Sequence, residues 1–113
     1  MSRSAPSTLH LTRQAREAAS TLGQNIRQAR LRRSMTQVDL AKRLSVSPVT
    51  IGNLEKGNVS VGLGVLIMTL DILGLVDSLS LVANPEHDKV GKALEQKKPQ
   101  RASRPRGLAS LDF

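Results

Sequence analysis

Residues 36–57 decide the fold of this chain, and they read TQVDLAKRLSVSPVTIGNLEKG. Thr36 offers a hydroxyl that can cap a helix, and Asp39, three residues later, is a weak capping-box partner. Ser47 followed by Pro48 is a second start signal, because the missing N–H of proline costs nothing at the first helical position. The stretch therefore predicts two short helices joined by a three-residue turn.

These two helices are predicted at 36–44 and 48–56, with Gly57 at the position that follows a helix end. A pair of short helices with a three-residue turn, placed between two longer helices, is how a helix-turn-helix is built. In such a pair the second helix projects from the surface, where its N-terminal residues can meet base edges. An arbitrary small helical bundle is the alternative.

A longer helix is predicted before the pair. Ser20 or Thr21 can cap it, and it ends near Arg33. Residues 12–19 are also good helix formers, so the helix is either extended or preceded by a separate one. Its inner face would consist of Leu22, Ile26 and Ala29.

After the pair, Ser60 can cap an apolar helix over 61–73 that Gly74 stops. This helix is apolar nearly all round, which is typical of burial on more than one side, so we expect a second copy of the chain to cover it. The segment 75–83 fits a helix better than a strand, and a further short helix is expected over 86–97. The predicted dimer interface consists of Met68, Ile72, Leu75, Leu79 and Val82.

Composition excludes several classes of function. The chain has no cysteine, which rules out disulfide scaffolds, cysteine-based zinc sites and thiol catalysis. His10 and His87 lie far apart, and no nucleophile–base pair, phosphate loop or metal cluster can be assembled. We therefore expect a protein that is not an enzyme and needs no metal or cofactor. No apolar run approaches the ~20 residues of a membrane span, so a soluble, cytoplasmic protein is expected.

Basic residues outnumber acidic ones, 17 to 9, which favours a polyanionic partner. A second basic cluster consists of Arg27, Arg30, Arg32 and Arg33, and within it Arg27 and Arg30 share one predicted helix face, opposite Ile26 and Ala29. This exposed cluster is either a solvated helix face or a surface for nucleic acid. A proline-containing basic tail follows the last helix and would be mobile, either binding a polyanion or only aiding solubility. Its basic residues are Lys97, Lys98, Arg101, Arg104 and Arg106.

We accordingly divide the chain into an N-terminal extension (1–20), a DNA-binding and dimerisation domain (21–84), and a short helix with a basic, flexible tail (85–113). The final residues are either a frayed terminus or a short motif that docks on a partner or directs proteolysis. The docking residues would be Leu108, Leu111 and Phe113.

The 36–57 stretch, taken with the helices around it, resembles the Cro/CI-type (XRE) helix-turn-helix family over about residues 22–75. The resemblance rests on Thr36-Gln37-x-x-Leu40-Ala41-x-x-Leu44-x-Val46-x-x-x-Thr50-Ile51-x-x-Leu54-Glu55-x-Gly57. It implies an all-α, lambda-repressor-like domain that forms a homodimer on a palindromic operator in double-stranded DNA.

The resemblance also implies residue roles. Gln37 would touch a phosphate and brace the recognition helix, and Glu55 would pair with a basic side chain of the same molecule. The residues expected to read bases are Ser47, Pro48, Val49, Thr50 and Asn53. Those expected to contact phosphates, besides Gln37, are Arg43, Lys56 and Asn58, and those expected to pack the two helices together are Ala41, Val46, Ile51 and Leu54.

Two positions depart from the family pattern. Ser45 replaces a frequent glycine in the turn, which predicts slight strain or a less pronounced left-handed backbone. Gly52 replaces a polar or basic contact residue, and Pro48 and Val49 are poor hydrogen-bond donors. Direct reading would then depend on Ser47, Thr50 and Asn53, with an apolar contact from Val49 to a thymine methyl group and help from DNA shape.

Among relatives, the chain is most similar to HipB-type antitoxins, in Thr36-Gln37-x-x-Leu40-Ala41-Lys42-x-Leu44 and Thr50-Ile51-x-Asn53-x-Glu55. That similarity implies an autorepressor that also neutralises a HipA-family Ser/Thr kinase toxin. One alternative is a stand-alone or phage-type repressor, and another is a protein–protein adaptor that has lost operator binding.

Overall fold

The computed structural model describes residues 10–97, and within them the secondary structure is entirely helical. The α-helices are α1 (Arg13–Arg32), α2 (Gln37–Leu44), α3 (Pro48–Glu55), α4 (Leu63–Ile72) and α5 (Lys89–Lys97). Two 3-10 helices, Val76–Leu81 and Pro85–His87, lie between α4 and α5. The expected all-α fold is confirmed. The chain divides between Leu79 and Ser80 into two compact units.

Helix α1 starts earlier than the cap prediction placed it. Thr12 is the N-cap, and its hydroxyl accepts a 3.0 Å hydrogen bond from the Ala15 amide. The helix runs unbroken through Ser20 and Thr21, so the prediction that either residue caps it is wrong, whereas an extended helix was one of the two expectations. Residues 13–21 contain neither Gly nor Pro, so nothing interrupts the helix once Thr12 has started it.

Helices α2 and α3 start at the predicted caps. The Thr36 hydroxyl accepts from the Asp39 amide at 3.0 Å, and the Thr36 amide donates to the Asp39 carboxylate at 2.9 Å. That donation from the Thr36 backbone holds the pKa of Asp39 below its ordinary value. Ser47 caps α3 by accepting from the Thr50 amide at 3.2 Å, with Pro48 in the first turn.

Ser45, which ends α2, has a left-handed backbone with φ 59° and ψ 41°. These angles are close to the centre of the left-handed region, so the expectation of a less pronounced left-handed geometry is wrong. The turn closes because the amide of Val46 donates to the Ala41 carbonyl at 3.0 Å. A non-glycine residue in this conformation costs about 1–2 kcal/mol.

The core of the first unit consists of two clusters, one on each side of α3. One cluster contains Ile26, Ala29, Leu54, Leu70 and Leu73, and the other contains Leu40, Ala41, Leu44 and Ile51. Val46 packs against the second cluster, so the packing roles of Ala41, Val46 and Ile51 are confirmed. Leu54 belongs instead to the cluster made with α1 and α4, so its expected place between α2 and α3 is wrong. Helix α3 is therefore fixed from both sides.

Helix α4 is capped by Gly62 rather than by Ser60, so the predicted cap is wrong. Ser60 is engaged elsewhere, because its amide and hydroxyl both donate to the Asn58 side-chain oxygen, at 2.9 and 2.6 Å. Within α4, Thr69 is fully buried, and its hydroxyl has no hydrogen-bond partner among residues 10–97. Gly74, with φ 78°, follows the helix end as predicted.

The ambiguous segment 75–83 is helical, as favoured, but its helix is 3-10 (76–81) rather than α. In the second unit, Asn84 caps the short 3-10 helix by accepting from the Glu86 amide at 2.8 Å, and α5 follows. Across 10–97, no helix combines the length and apolar character needed to cross a membrane.

Candidate nucleic-acid interface

Helix α3 buries one face and exposes the other. Ile51, Leu54 and Glu55 are buried, whereas Val49 is 71% exposed. Helix α1 comes very close behind it: a Cβ added at Gly23 would collide with the carbonyl group of Glu55 and lie 2.8 Å from the Leu54 carbonyl oxygen. The lack of a side chain at Gly23 thus allows α1 to pack closely against the C-terminal end of α3.

A buried ion pair joins α1 to the end of α3. Arg30 donates from Nε and Nη2 to the two carboxylate oxygens of Glu55, at 2.6 and 3.0 Å, and from Nη1 to the Met35 carbonyl at 2.8 Å. Both charged side chains are at most 6% exposed. The hydrogen bond to Glu55 raises the pKa of Arg30, which favours its charged guanidinium.

The ion pair settles two expectations. Glu55 does pair with a basic side chain of its own molecule, as expected. Arg30, however, is buried, so its expected place in an exposed cluster with Arg27 is wrong. The spacing of Gly23, Ile26 and Arg30, at i, i+3 and i+7, puts Arg30 on the buried face of α1 and was the signal that could have shown it.

Gln37, at the start of α2, is tied to the same carboxylate. Its Nε2 donates to Glu55 Oε1 at 3.1 Å. The expected bracing between Gln37 and the recognition helix is therefore present. Its contact with a phosphate remains a prediction.

A shallow groove of about 320 Å³ runs along the outer face of α3. Its lining residues are Gln37, Pro48, Val49, Gly52, Asn53 and Lys56. It brings together three of the predicted base-reading residues and two of the predicted phosphate-contacting residues. Lys56 gives the groove a positive charge, which is favourable for a polyanion.

Ser47 and Thr50 are outside the lining of this groove. Besides capping α3, the Ser47 hydroxyl lies 3.2 Å from the Thr50 hydroxyl and shares a hydrogen bond with it. Both hydroxyls are thus already engaged within the helix start, and any base contact would have to use their remaining hydrogen-bonding capacity.

Arg43 and Asn58 also lie outside the groove. Arg43 is exposed on α2, whereas Asn58 uses its side-chain oxygen for the two bonds from Ser60. Asn58 contributes instead to a separate apolar groove of about 340 Å³, along with Leu22 and Leu63.

The predicted dimer residues have different environments. Met68 and Leu75 are 48% and 37% exposed, whereas Ile72 and Leu79 are half-buried and pack against the two core clusters. In the second unit, Val82 is 69% exposed. Two exposed apolar side chains of α4, Leu63 and Ile67, were not among the predicted interface residues.

The predicted tail contacts Leu108, Leu111 and Phe113 lie outside the described residues, as does the basic run from Lys98 onward. Within the described part of the chain, no group of three or more His, Asp or Glu side chains could hold a metal ion.

Residues 26–77 match a family model described as helix-turn-helix, of the XRE type, whose members are DNA-binding transcription regulators. The matched range runs from the middle of α1 into the 3-10 helix after α4. No curated protein and no solved structure gives a significant match to the chain.

Proposed function

We propose, from the helix-turn-helix domain that residues 26–77 form, that this protein is a sequence-specific DNA-binding transcription repressor. The groove on α3 carries the proposal. It places Asn53 and Val49, which can contact base edges, beside the cationic Lys56 on a helix fixed from behind by a buried ion pair. A rigid support of this kind lets the exposed side chains keep one geometry in the major groove.

Two kinds of contact would contribute to DNA binding, phosphate contacts to affinity and base contacts to specificity. Lys56 and Arg43 neutralise phosphates and release counterions, which supplies affinity without sequence information. Asn53 can form a bidentate pair with adenine, and Val49 can contact a thymine methyl group. Occupancy of the operator would block transcription, so no catalytic residue is required.

The repressor would act as a homodimer on a palindromic operator. Two recognition helices then read half-sites about 34–36 Å apart, one turn of the double helix. The exposed apolar side chains of α4, including Met68, support a second copy on this face, because apolar surface gains free energy when it is buried against a partner.

The finer proposal is that the protein is a HipB-like antitoxin, which represses its own operon and neutralises a HipA-family kinase. The sequence similarity over 36–44 and 50–55 supports it. A pull-down of the full chain from its native host, read by mass spectrometry, should recover a kinase-like protein encoded next to it. Absence of a neighbouring kinase-like gene would favour the stand-alone, phage-type repressor.

DNA binding itself is tested by fluorescence anisotropy of the full chain on the DNA upstream of its own gene, with shuffled DNA as control. We expect the protein to bind the upstream DNA more tightly than the shuffled DNA. Its affinity for both DNAs should fall steeply between about 50 and 200 mM salt. No binding at the lower salt concentration would refute the proposal and favour the adaptor.

The base-reading role of Asn53 gives a sharper prediction. Asn53→Ala should lower discrimination at one base pair of each half-site by about 1–3 kcal/mol, because the bidentate contact is lost. The control is Asn25→Ala, at an exposed position of α1 away from the groove. Competition binding with single-base operator variants measures the effect, and an unchanged base preference would remove Asn53 from the reading residues.

A further inference from the structure

The side-chain amide of Gln37 has a defined orientation at the inner wall of the α3 groove. Its nearest partner is the Glu55 carboxylate, which already accepts two hydrogen bonds from Arg30. A carboxylate held in an ion pair can only accept, so the amide must turn its nitrogen toward Glu55. The reversed amide would bring oxygen against oxygen inside a buried site. One N–H of Gln37 is thereby committed to Glu55.

The other edge of the amide faces Gly52. A Cβ built on Gly52 would lie 3.7 Å from Gln37 Oε1 and 3.9 Å from Nε2, with the amide carbon farther away than both. The two polar atoms are thus the part of the amide nearest to residue 52. Since Gly52 has no side chain, the edge formed by Oε1 and Nε2 borders the groove, and Nε2 keeps a second N–H besides the one bonded to Glu55.

An open amide edge presents an acceptor and a donor side by side. Adenine presents the complementary pair in the major groove, a donor at N6 and an acceptor at N7. A phosphate offers acceptors only, so it would pair with the N–H and leave the amide oxygen facing a negative charge. The exposed edge therefore suits a base better than a phosphate.

We propose that Gln37 is a specificity-determining residue, which reads an adenine edge through the gap left by Gly52. This role differs from the phosphate contact that the family resemblance implies, and it rests on the proposed function, in which α3 binds the major groove. Glu55 is then a positioning residue, because it sets which amide edge Gln37 presents.

The test uses the full chain and four variants: Gln37→Ala, Gly52→Ala, both together, and Gln28→Ala as the control. Gln28 is an exposed glutamine of α1, away from α3. Each protein selects DNA from a random pool, and affinities are then measured for the selected site and its single-base variants. Thermal unfolding of every variant excludes misfolding. Gly52→Ala also favours the helical state, so loss of the fold cannot explain its effect.

The unchanged protein should prefer adenine at one half-site position by about 5- to 150-fold over other bases. Gln37→Ala and Gly52→Ala should each abolish that preference and leave the other positions unchanged. The double variant should lose no more than either single one, because both act on one contact. Gln28→Ala should keep the preference.

Two outcomes would overturn the proposal while DNA binding stands. If Gln37→Ala weakens binding to all sequences equally and keeps every base preference, Gln37 contacts a phosphate. If Gly52→Ala keeps the adenine preference, the gap is not the route to the amide. Absence of DNA binding by the unchanged protein would instead overturn the proposed function, and this inference with it.

Discussion

Arg30 and Glu55 show how a single pair of side chains can fix the position of a helix, here α3. Their bidentate contact joins α1 to α3, and the bond to the Met35 carbonyl adds the segment just before α2. Buried ion pairs contribute little net stability over an apolar pair, but removal of one partner leaves a buried charge without compensation. The pair should therefore be sensitive to a change on one side only.

Arg30→Met should lower the free energy of unfolding by about 3–5 kcal/mol, because Glu55 then stays buried without its cation. Urea denaturation followed by circular dichroism measures the loss. Arg27→Met is the matched control, since Arg27 is an exposed arginine of the same helix, and it should change stability by less than about 0.5 kcal/mol. Similar losses in the two variants would contradict a special role for the Arg30–Glu55 pair.

At the scale of single residues, hydrogen-bond partners were easier to predict from the sequence than burial. Glu55 and Gln37 were assigned scaffold contacts from the family pattern, and both make them. Arg30 was misplaced because a basic cluster suggested solvent exposure, although its spacing from Ile26 put it on the buried face. The gap at Gly52 could be seen in the sequence, but the atoms that border it could not.

The individual helices differ in how well the sequence predicts their limits. For α2 and α3, the capping residue, the first turn and the apolar spacing all indicate the same limits. The start and end of each helix were therefore predicted to within one residue. The starts of α1 and α4 were missed because several hydroxyl residues could serve as caps and the sequence does not show which is already engaged. Ser60, for example, donates its amide and hydroxyl protons to Asn58, and the N-cap of α4 is Gly62, two residues further on.

The capping box of α2 gives a pH prediction. The Thr36 amide donates to the charged carboxylate of Asp39 and lowers its pKa in the folded state relative to the ordinary value of 3.8. The stabilisation is therefore fully present at neutral pH and is lost as the pH falls below 3.8 through the folded-state pKa.

Accordingly, Asp39→Asn should be less stable than the unchanged protein at pH 7, and the difference should shrink once the pH is below 3.8. Urea unfolding at both pH values measures this. Val38→Ala is the control, because it changes the same helical turn without removing an ionisable group. Its stability should differ from that of the unchanged protein by the same amount at both pH values. A constant difference for Asp39→Asn would show that its carboxylate does not stabilise the helix start.

For the whole molecule, the sequence predicted the helical class and the basic charge but not which apolar side chains stay exposed. Helix α4 looked apolar on all sides, and the structure separates a buried side, with Leu70, from an exposed side, with Ile67 and Met68. Burial of this kind depends on contacts between residues distant in sequence, which periodicity alone does not show.

If α4 forms the dimer interface, Met68→Asp should convert the protein from dimer to monomer, because a charge would be buried without a partner. Analytical ultracentrifugation over a range of concentrations gives the oligomeric state. Val38→Asp is the control, since Val38 and Met68 are equally exposed, at 48%. A dimer that survives Met68→Asp, or an unchanged protein that is monomeric, would rule out this interface.

Thr69 is a position where one substitution should increase the stability of the folded protein. Its hydroxyl is buried without a partner in the part of the chain that the structure describes, so Thr69→Val, which keeps the shape, should raise stability by about 1 kcal/mol. In a domain of this size that gain corresponds to a melting temperature about 4–8 °C higher, as scanning calorimetry would show. Thr21→Val, at an exposed site, should give no such gain. If Thr69→Val melts at the same temperature as the unchanged protein, the buried hydroxyl does not lower stability. Costly interface variants could then be studied in a background that tolerates them.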